Sequence, residues 1–265
     1  MLARTPAPRI EIIDTDESKP EFTQILRAIE ENPPATIIQG EFTSLRINGE
    51  SRYRSLATPA LQTCVCVVLV TKNAARDYVI GITHFDSLVR LEESFVEFLR
   101  DFNRKKETDS KITAKIIGGR KGTFGSYTPL LFMDGNSEEL VDRVKSLVER
   151  IPAVEILDHD HYSRKGPCEM PLPGTGFYMY DVIVGVRADD SISCIVNHSN
   201  ESNRITSSLI NIFQESDQTK EREGRYDERE EYNSEDSRRP AHAAVNFEVR
   251  AVSHSQLSLP VYRRK

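Results

Sequence analysis

Apolar residues recur with a period near 3.6 in four stretches of the chain, a spacing typical of amphipathic helices. In the second stretch, Leu91, Phe95, Phe98 and Phe102 fall on one helical face. The first stretch is followed by Pro33-Pro34, which cannot continue a helix. We predict helices in "EFTQILRAIEEN" (21–32), "SLVRLEESFVEFLRDF" (87–102), "NSEELVDRVKSLVERI" (136–151) and "NRITSSLINIFQES" (203–216).

Short runs rich in β-branched and aromatic residues separate these stretches and predict strands. Two pairs of runs are joined by short polar links and are expected to form hairpins. Because strands and helices interleave while hairpins are present, the pattern favours an α+β fold, with a mixed sandwich, over a doubly wound parallel sheet. The predicted strands are "ATIIQG", "FTSLRING", "CVCVVLV", "DYVIGITHF", "KITAKIIGG", "AVEILD", "GFYMYDVIVGVRADD", "SISCIV" and "AAVNFEVRAV".

The composition changes after residue 196. Residues 217–239 hold nine acids, six bases and no aliphatic side chain. Such a segment buries too little apolar surface to offset the entropy of ordering, so we predict a linker, with an exposed helix as the alternative. The expected division is an N-terminal extension of one helix and short strands (1–55), a core (56–196), a helix with a charged linker (197–241), and a C-terminal strand and tail (242–265).

Composition and charge argue against several classes of protein. A net charge of −6 over 265 residues argues against a broad basic surface for nucleic acid. The longest wholly apolar run, residues 64–70, is far shorter than the roughly 20 residues of a membrane-spanning helix. The four cysteines do not resemble a disulfide framework, and the first residues lack the apolar core of a secretory signal. We expect a protein of a reducing, cytoplasmic compartment, with no nucleic-acid partner and no membrane span.

Two residues are candidates for chemistry. Cys64 opens one predicted strand in "TPALQTCVCVVLV", and His84 closes the next one in "GITHFD". If these strands pair antiparallel, the thiol and the imidazole lie at one edge of the sheet. A cysteine nucleophile needs such a base within hydrogen-bond reach. The spacing alone leaves an alternative open, in which Cys64 is a buried apolar residue and His84 a surface one.

The sequence lacks the motifs that are typical of metal-binding and phosphate-binding sites. Cys64 and Cys66, like His159 and His161, are two residues apart, and neither the CxxC nor the HExxH spacing occurs. No phosphate-binding glycine pattern fits "GGRKGTFGS". We therefore expect no metal and no cofactor.

Four motifs, in their order along the chain, resemble those of a known protein family. "TPALQTCVCVVLV", "GITHFD", a helix and "ITAKIIGG" together resemble the CheD family of chemoreceptor glutamine deamidases, and more broadly the Cys–His deamidases similar to cytotoxic necrotizing factor. The resemblance covers residues 58–196. It implies a sandwich flanked by helices that deamidates glutamine in a protein substrate.

The resemblance also implies residue roles. The nucleophile falls on Cys64, the general acid and base on His84, and the residue that orients the imidazole on Thr58. The Cys64 thiolate would attack the carboxamide carbon, the imidazolium would protonate the departing ammonia, and water would hydrolyse the thioester. Gln62, Thr63 and Asp86 are expected to line the substrate site, with Cys66 as the fallback nucleophile.

The chain also departs from this family. Gln62-Thr63 stands before Cys64 where the family usually has Gly-Ser, and glycine permits a close approach that glutamine does not. A catalytically inactive binding module is therefore the second hypothesis, and an amidohydrolase acting on an N-terminal asparagine the third. The N- and C-terminal extensions suit a stand-alone protein, such as an effector delivered into a host cell, better than a chemotaxis enzyme.

Overall fold

The computed structural model describes residues 7–61, 64–73, 77–86, 89–119, 137–157, 179–199, 203–215 and 242–243. All four predicted helices are present in this part of the chain. They are α1 (Glu21–Glu31), α2 (Leu91–Lys105), α3 (Ser137–Glu149) and α4 (Arg204–Glu215).

The strands of the described residues form two mixed sheets. The first sheet has the order β1-β10-β9-β4-β2 and the second the order β11-β3-β6-β5-β7-β8. The strands are β1 (Ile10–Thr15), β2 (Ala35–Thr36), β3 (Glu41–Ile47), β4 (Ser55–Leu61), β5 (Val65–Lys72), β6 (Tyr78–Thr83), β7 (Ile112–Gly118), β8 (Val154–Ile156), β9 (Met179–Val186), β10 (Ile192–Ser199) and β11 (His242–Ala243).

Both predicted hairpins are confirmed. Val68 of β5 lies opposite Ile82 of β6, and Val184 of β9 lies opposite Cys194 of β10, each in an antiparallel pair. The polar link between β9 and β10 contains Asp190, which has a left-handed φ of 64°. Aspartate is one of the few non-glycine residues that adopt this conformation readily, which suits it to a tight turn.

The two sheets pack face to face, with helices on both outer sides. Apolar residues of both sheets meet in a layer between them, here called the inter-sheet core, which includes Leu45, Val68, Ile80, Val182, Val184 and Val196. The other side of the second sheet packs on α2 and α3, and the other side of the first sheet on α1 and α4. The predicted α+β sandwich flanked by helices is therefore confirmed, with layers in the order helix, sheet, sheet, helix.

One glycine sets how closely α2 approaches the second sheet. A Cβ atom on Gly81 of β6 would lie 2.9 Å from the Phe98 ring. Phe98 is fully buried and contacts the rings of Phe95 and Phe102 edge-on or tilted. The bare backbone at residue 81 thus makes room for the aromatic face that the sequence pattern predicted.

Residues 10–47 contribute strands to both sheets. β1 pairs in parallel with β10, β2 pairs in parallel with β4, and β3 pairs antiparallel with β6. The predicted strand over 35–40 covers only Ala35–Thr36. The predicted linker 217–239 and all but Ala243 of the predicted last strand lie outside the described residues.

Several strand ends converge at one end of the sandwich. Val65, at the start of β5, lies opposite Gly118, at the end of β7, and bridges to Phe85, just after β6. In the facing sheet, Leu61 at the end of β4 lies opposite Tyr180 near the start of β9. We call this the site end of the sandwich, because Cys64 and His84 both lie there.

Candidate active site

A buried hydrogen bond joins the two sheets at the site end. Thr58 of β4 and His84, which follows β6, meet with 2.7 Å between Oγ1 and Nδ1. Thr58 is fully buried and His84 is 3% exposed. The His84 backbone is fixed on both sides, because its N–H donates to Glu41 O and its carbonyl accepts from Gly40 N–H. The imidazole therefore has one defined orientation.

Burial controls the charge of His84. Desolvation lowers the pKa of His84 to about 4, and the nearby Asp86 carboxylate opposes this shift only in part. The ring is therefore neutral at pH 7. A neutral imidazole has one donor and one acceptor nitrogen. Nδ1 contacts Thr58, while Nε2 is buried and has no hydrogen-bond partner among the described residues.

An unpartnered buried nitrogen is costly. A buried polar atom without a partner destabilises a fold by about 1–3 kcal/mol, and such atoms call for an explanation such as a catalytic role. Nε2 of His84 is therefore the first candidate for a group that acts on a substrate or on a thiol.

Cys64 and His84 share the inter-sheet face. Val65 and Phe85 exchange two backbone hydrogen bonds, of 2.8 and 2.9 Å, and both side chains point toward α2 and α3. Their neighbours in each strand therefore turn the other way, so that Cys64 joins the inter-sheet core and His84 meets Thr58. In this register Cys64 and His84 are diagonal neighbours, whose Cα atoms typically lie about 7–8 Å apart.

A glycine pair encloses the backbone of Cys64. Gly119 N–H donates to Cys64 O at 2.8 Å, and a Cβ atom on Gly118 would lie only 2.5 Å from that oxygen. Gly118 and Gly119 both adopt left-handed φ values, 90° and 80°. This geometry gives the "GG" of "ITAKIIGG" a physical reason, because no side chain fits at residue 118.

A second polar contact lies beside the thiol. Asp86 stands one residue beyond the Val65–Phe85 bridge, so the register places it opposite Cys64. It is 5% exposed, and its Oδ2 accepts a 2.7 Å hydrogen bond from Gln39 Nε2. Sequence reasoning missed Gln39, because "ATIIQG" was interpreted as a strand. A polar residue next to Gly40 at the end of an apolar run was the available signal.

The remaining candidates differ in their surroundings. Cys64 is 6% exposed, whereas Cys66 is fully buried and its thiol pKa is raised well above the ordinary value by desolvation. Cys66 therefore stays protonated and suits a core role better than a nucleophilic one. Gln62 and Thr63, expected at the substrate site, lie outside the described residues, as do His159 and His161.

The described ranges contain neither a metal-binding cluster nor a membrane-spanning helix. No three His, Cys, Asp or Glu side chains within them are grouped so as to hold a metal ion. No helix within them combines the length and the apolar character needed to cross a membrane.

No protein-family model matches the chain, and no curated protein matches it. Function is therefore inferred from the geometry of the site.

Proposed function

We propose that the chain is a cysteine-dependent amidohydrolase that deamidates glutamine in a protein substrate. The observation that carries the proposal is the buried Thr58–His84 hydrogen bond at the site end. It fixes a neutral imidazole through Nδ1 and leaves Nε2 for chemistry, on the sheet face that also carries Cys64. A Cys–His pair whose base is oriented by a third group is the arrangement that activates a nucleophile.

The first half of the reaction forms a thioester. In the tautomer in which Nδ1–H donates to Thr58 Oγ1, Nε2 of the neutral His84 is unprotonated. The Cys64 thiol transfers its proton to this nitrogen as sulfur bonds to the carboxamide carbon of the substrate. The imidazolium then gives this proton to the carboxamide nitrogen, the C–N bond breaks, and ammonia leaves. The substrate acyl group remains bound to Cys64 sulfur.

The second half restores the enzyme. His84 accepts a proton from water, whose oxygen attacks the thioester carbon. The C–S bond breaks, the proton returns to sulfur, and glutamate is released. Burial makes the imidazolium costly while Cys64 is neutral, so we expect His84 to be charged only when negative charge develops beside it.

The oxyanion of the intermediate needs particular donors. Val65 N–H already donates to Phe85 O, and Gly119 N–H to Cys64 O. These two groups are therefore committed to structure, and the oxyanion must be stabilised by other donors.

A second candidate function has one observation in its favour. The Asp86 carboxylate, opposite Cys64 in the register, is suited to bind a cationic group close to the scissile carboxamide. An N-terminal asparagine carries such a group, because its α-amino nitrogen lies only two carbons from the carboxamide carbon. An amidohydrolase acting on N-terminal asparagine would use the same Cys64 and His84 chemistry.

Mass spectrometry of treated substrates tests the proposal. Candidate proteins with accessible glutamines, and peptides beginning with asparagine, are incubated with the full chain and scored for the mass gain of a single deamidation. We expect the gain with wild type and Cys66→Ala, and its loss with Cys64→Ala and His84→Ala. A gain that persists in Cys64→Ala overturns the proposal.

Alkylation provides a readout that needs no substrate. We expect iodoacetamide to modify Cys64 faster than Cys168, and His84→Ala to slow the modification of Cys64. Equal rates for both cysteines, with no effect of His84→Ala, would favour the inactive binding module.

A further inference from the structure

The strand that carries Thr58 contains a bulge. Thr58 lies opposite Val182 and Leu61 lies opposite Tyr180, so β4 uses one residue more than β9 between these pairs. A bulge shifts the alternation of side chains by one. This is why Thr58 and Leu61, three residues apart, both face inward.

The bulge contains a strained residue. Ala60 has a φ of 59°, a left-handed conformation that costs a non-glycine residue about 1–3 kcal/mol and persists only where the surrounding structure enforces it. The bulge lies between Thr58, which holds His84, and Leu61, from which the chain continues to Cys64. A change in the bulge would therefore move Thr58 and, with it, the His84 imidazole.

Asp181 supplies the contact that holds this conformation. Its Oδ1 accepts a 2.9 Å hydrogen bond from Ala60 N–H. Asp181 is fully buried on the helix side of β9, where an aspartate is unexpected. Its Oδ2 accepts from Asn197 Nδ2 and Thr206 Oγ1, both at 2.7 Å.

This network extends into α4. Asn203, at the N-terminal end of the helix, accepts hydrogen bonds through Oδ1 from the N–H groups of Ile205 and Thr206, at 3.0 and 3.1 Å. The side chain of Thr206 then reaches Asp181. A continuous chain of hydrogen bonds thus links the cap of α4 to the Ala60 bulge, on the outer side of the first sheet.

We infer that Asp181 is a positioning residue of the proposed site, which holds the Ala60 bulge so that Thr58 orients His84, and which couples the site to α4. The inference rests on the proposed function, because only that function gives the Thr58–His84 contact a purpose in catalysis. Asp181 does not touch the reacting atoms, since it faces the helices and the site faces the inter-sheet core.

The experiment compares variants of the full chain that differ in this network. Asp181→Ala removes the acceptor for Ala60. Asp181→Asn keeps one side-chain oxygen that can accept from Ala60 N–H. The Asn197 amide can flip so that its Oδ1, which has no partner among the described residues, accepts from the new NH2 group. Ile183→Ala is the matched control, because Ile183 lies on the same face of the same strand, packed among the helix residues.

Three readouts are measured: hydrogen exchange of the Ala60 amide, NMR titration of the His84 ring, and the separate kcat and KM of deamidation. For Asp181→Ala we expect at least about tenfold faster exchange, titration of His84 closer to its ordinary range, and about a tenfold lower kcat with an unchanged KM. Asp181→Asn should restore all three, and Ile183→Ala should lower the melting temperature without moving the His84 titration.

Two results would overturn the inference. In the first, Ala60 exchange and the His84 titration are unchanged in Asp181→Ala. In the second, Asp181→Ala lowers the melting temperature without moving the His84 titration, as is expected for Ile183→Ala. If Asp181→Ala does not fold, Thr206→Val replaces it as the test. We expect Thr206→Val to change Ala60 exchange and the His84 titration in the same direction but by less. No change in either would contradict the inference. Neither NMR readout requires turnover, so they remain decisive even if Cys64→Ala shows that the proposed function is wrong.

Discussion

Gly118 and Cys64 are in contact through their backbones, so closely that a Cβ atom on Gly118 would lie 2.5 Å from the Cys64 carbonyl oxygen. That oxygen also accepts the N–H of Gly119. The end of β7 therefore determines where β5 begins, and with it the position of the proposed nucleophile.

Gly118→Ala is expected to displace Cys64 and to destabilise the fold. The new methyl group meets backbone, which cannot move aside cheaply, and φ at this position is 90°. We expect a loss of about 1–3 kcal/mol in the free energy of unfolding and a large fall in kcat. Gly49→Ala is the control, because nothing lies within 4 Å of a Cβ at that position. Equal denaturant midpoints for the two variants would contradict the prediction.

Thr58→Val tests the orientation of the imidazole. The substitution keeps the shape of the side chain but removes the hydroxyl that contacts His84 Nδ1 at 2.7 Å. We expect the kcat of deamidation to fall by about tenfold or more, the equivalent of losing one hydrogen bond. Thr58→Ser retains the hydroxyl and should recover most of the rate. Equal rates for the valine and serine variants would show that the hydroxyl plays no part.

The stability of the protein should depend on pH through His84. The pKa of His84 is lowered from 6.5 to about 4 in the folded state, so the unfolded chain binds a proton first as the pH falls. The stability associated with neutral His84 is therefore present above pH 6.5 and is lost progressively down to about pH 4, by about 3 kcal/mol in all. Asp181, whose pKa is raised by burial, contributes with the opposite sign.

Comparison of wild type with one variant isolates the His84 contribution. Denaturant unfolding of His84→Gln between pH 4 and pH 6.5 should show a flatter dependence of the free energy of unfolding on pH than wild type. The same slope in wild type and His84→Gln would show that His84 is not the titrating group.

Two substitutions on α2 test the packing of the helix layer. Phe98→Ala removes a fully buried ring that fills the space above Gly81, and we expect a loss of about 3–5 kcal/mol in the free energy of unfolding. Val96, on the same helix, is 53% exposed, so Val96→Ala should change stability by less than about 0.5 kcal/mol. Thermal denaturation of both proteins measures the difference. Comparable losses would mean that α2 packs through another face.

Local patterns predicted most of the helices and strands, though not β1 and β4, and predicted less well which strands pair with each other. The helical spacing of Phe95, Phe98 and Phe102 identified the buried face of α2, and the short polar link after β5 identified the hairpin with β6. The parallel pairing of β1 with β10 joins residues some 180 positions apart and leaves no local sequence signal. Hydrophobic periodicity reports which side of an element is apolar, and not which distant segment covers it.

The same limit applies to the site. Cys64 and His84 were candidates from their order in the chain and Thr58 from the family resemblance, and the structure brings Thr58 and His84 into contact. Their catalytic roles stay predictions. Asp181 was missed, because a polar residue in "YMYDVIVGV" falls where strand alternation predicts a solvent-facing side chain. Burial of that position depends on α4, which packs there from a separate part of the sequence.

The three strand pairs made by residues 10–47 have a practical consequence for fragments of this protein. A shortened chain starting at residue 56 would lose β1, β2 and β3, and would leave the edges of β10, β4 and β6 with unsatisfied backbone donors and acceptors. Exposed strand edges of this kind recruit other chains. Such a fragment should therefore accumulate as insoluble aggregates on expression, even though it retains Thr58, Cys64 and His84.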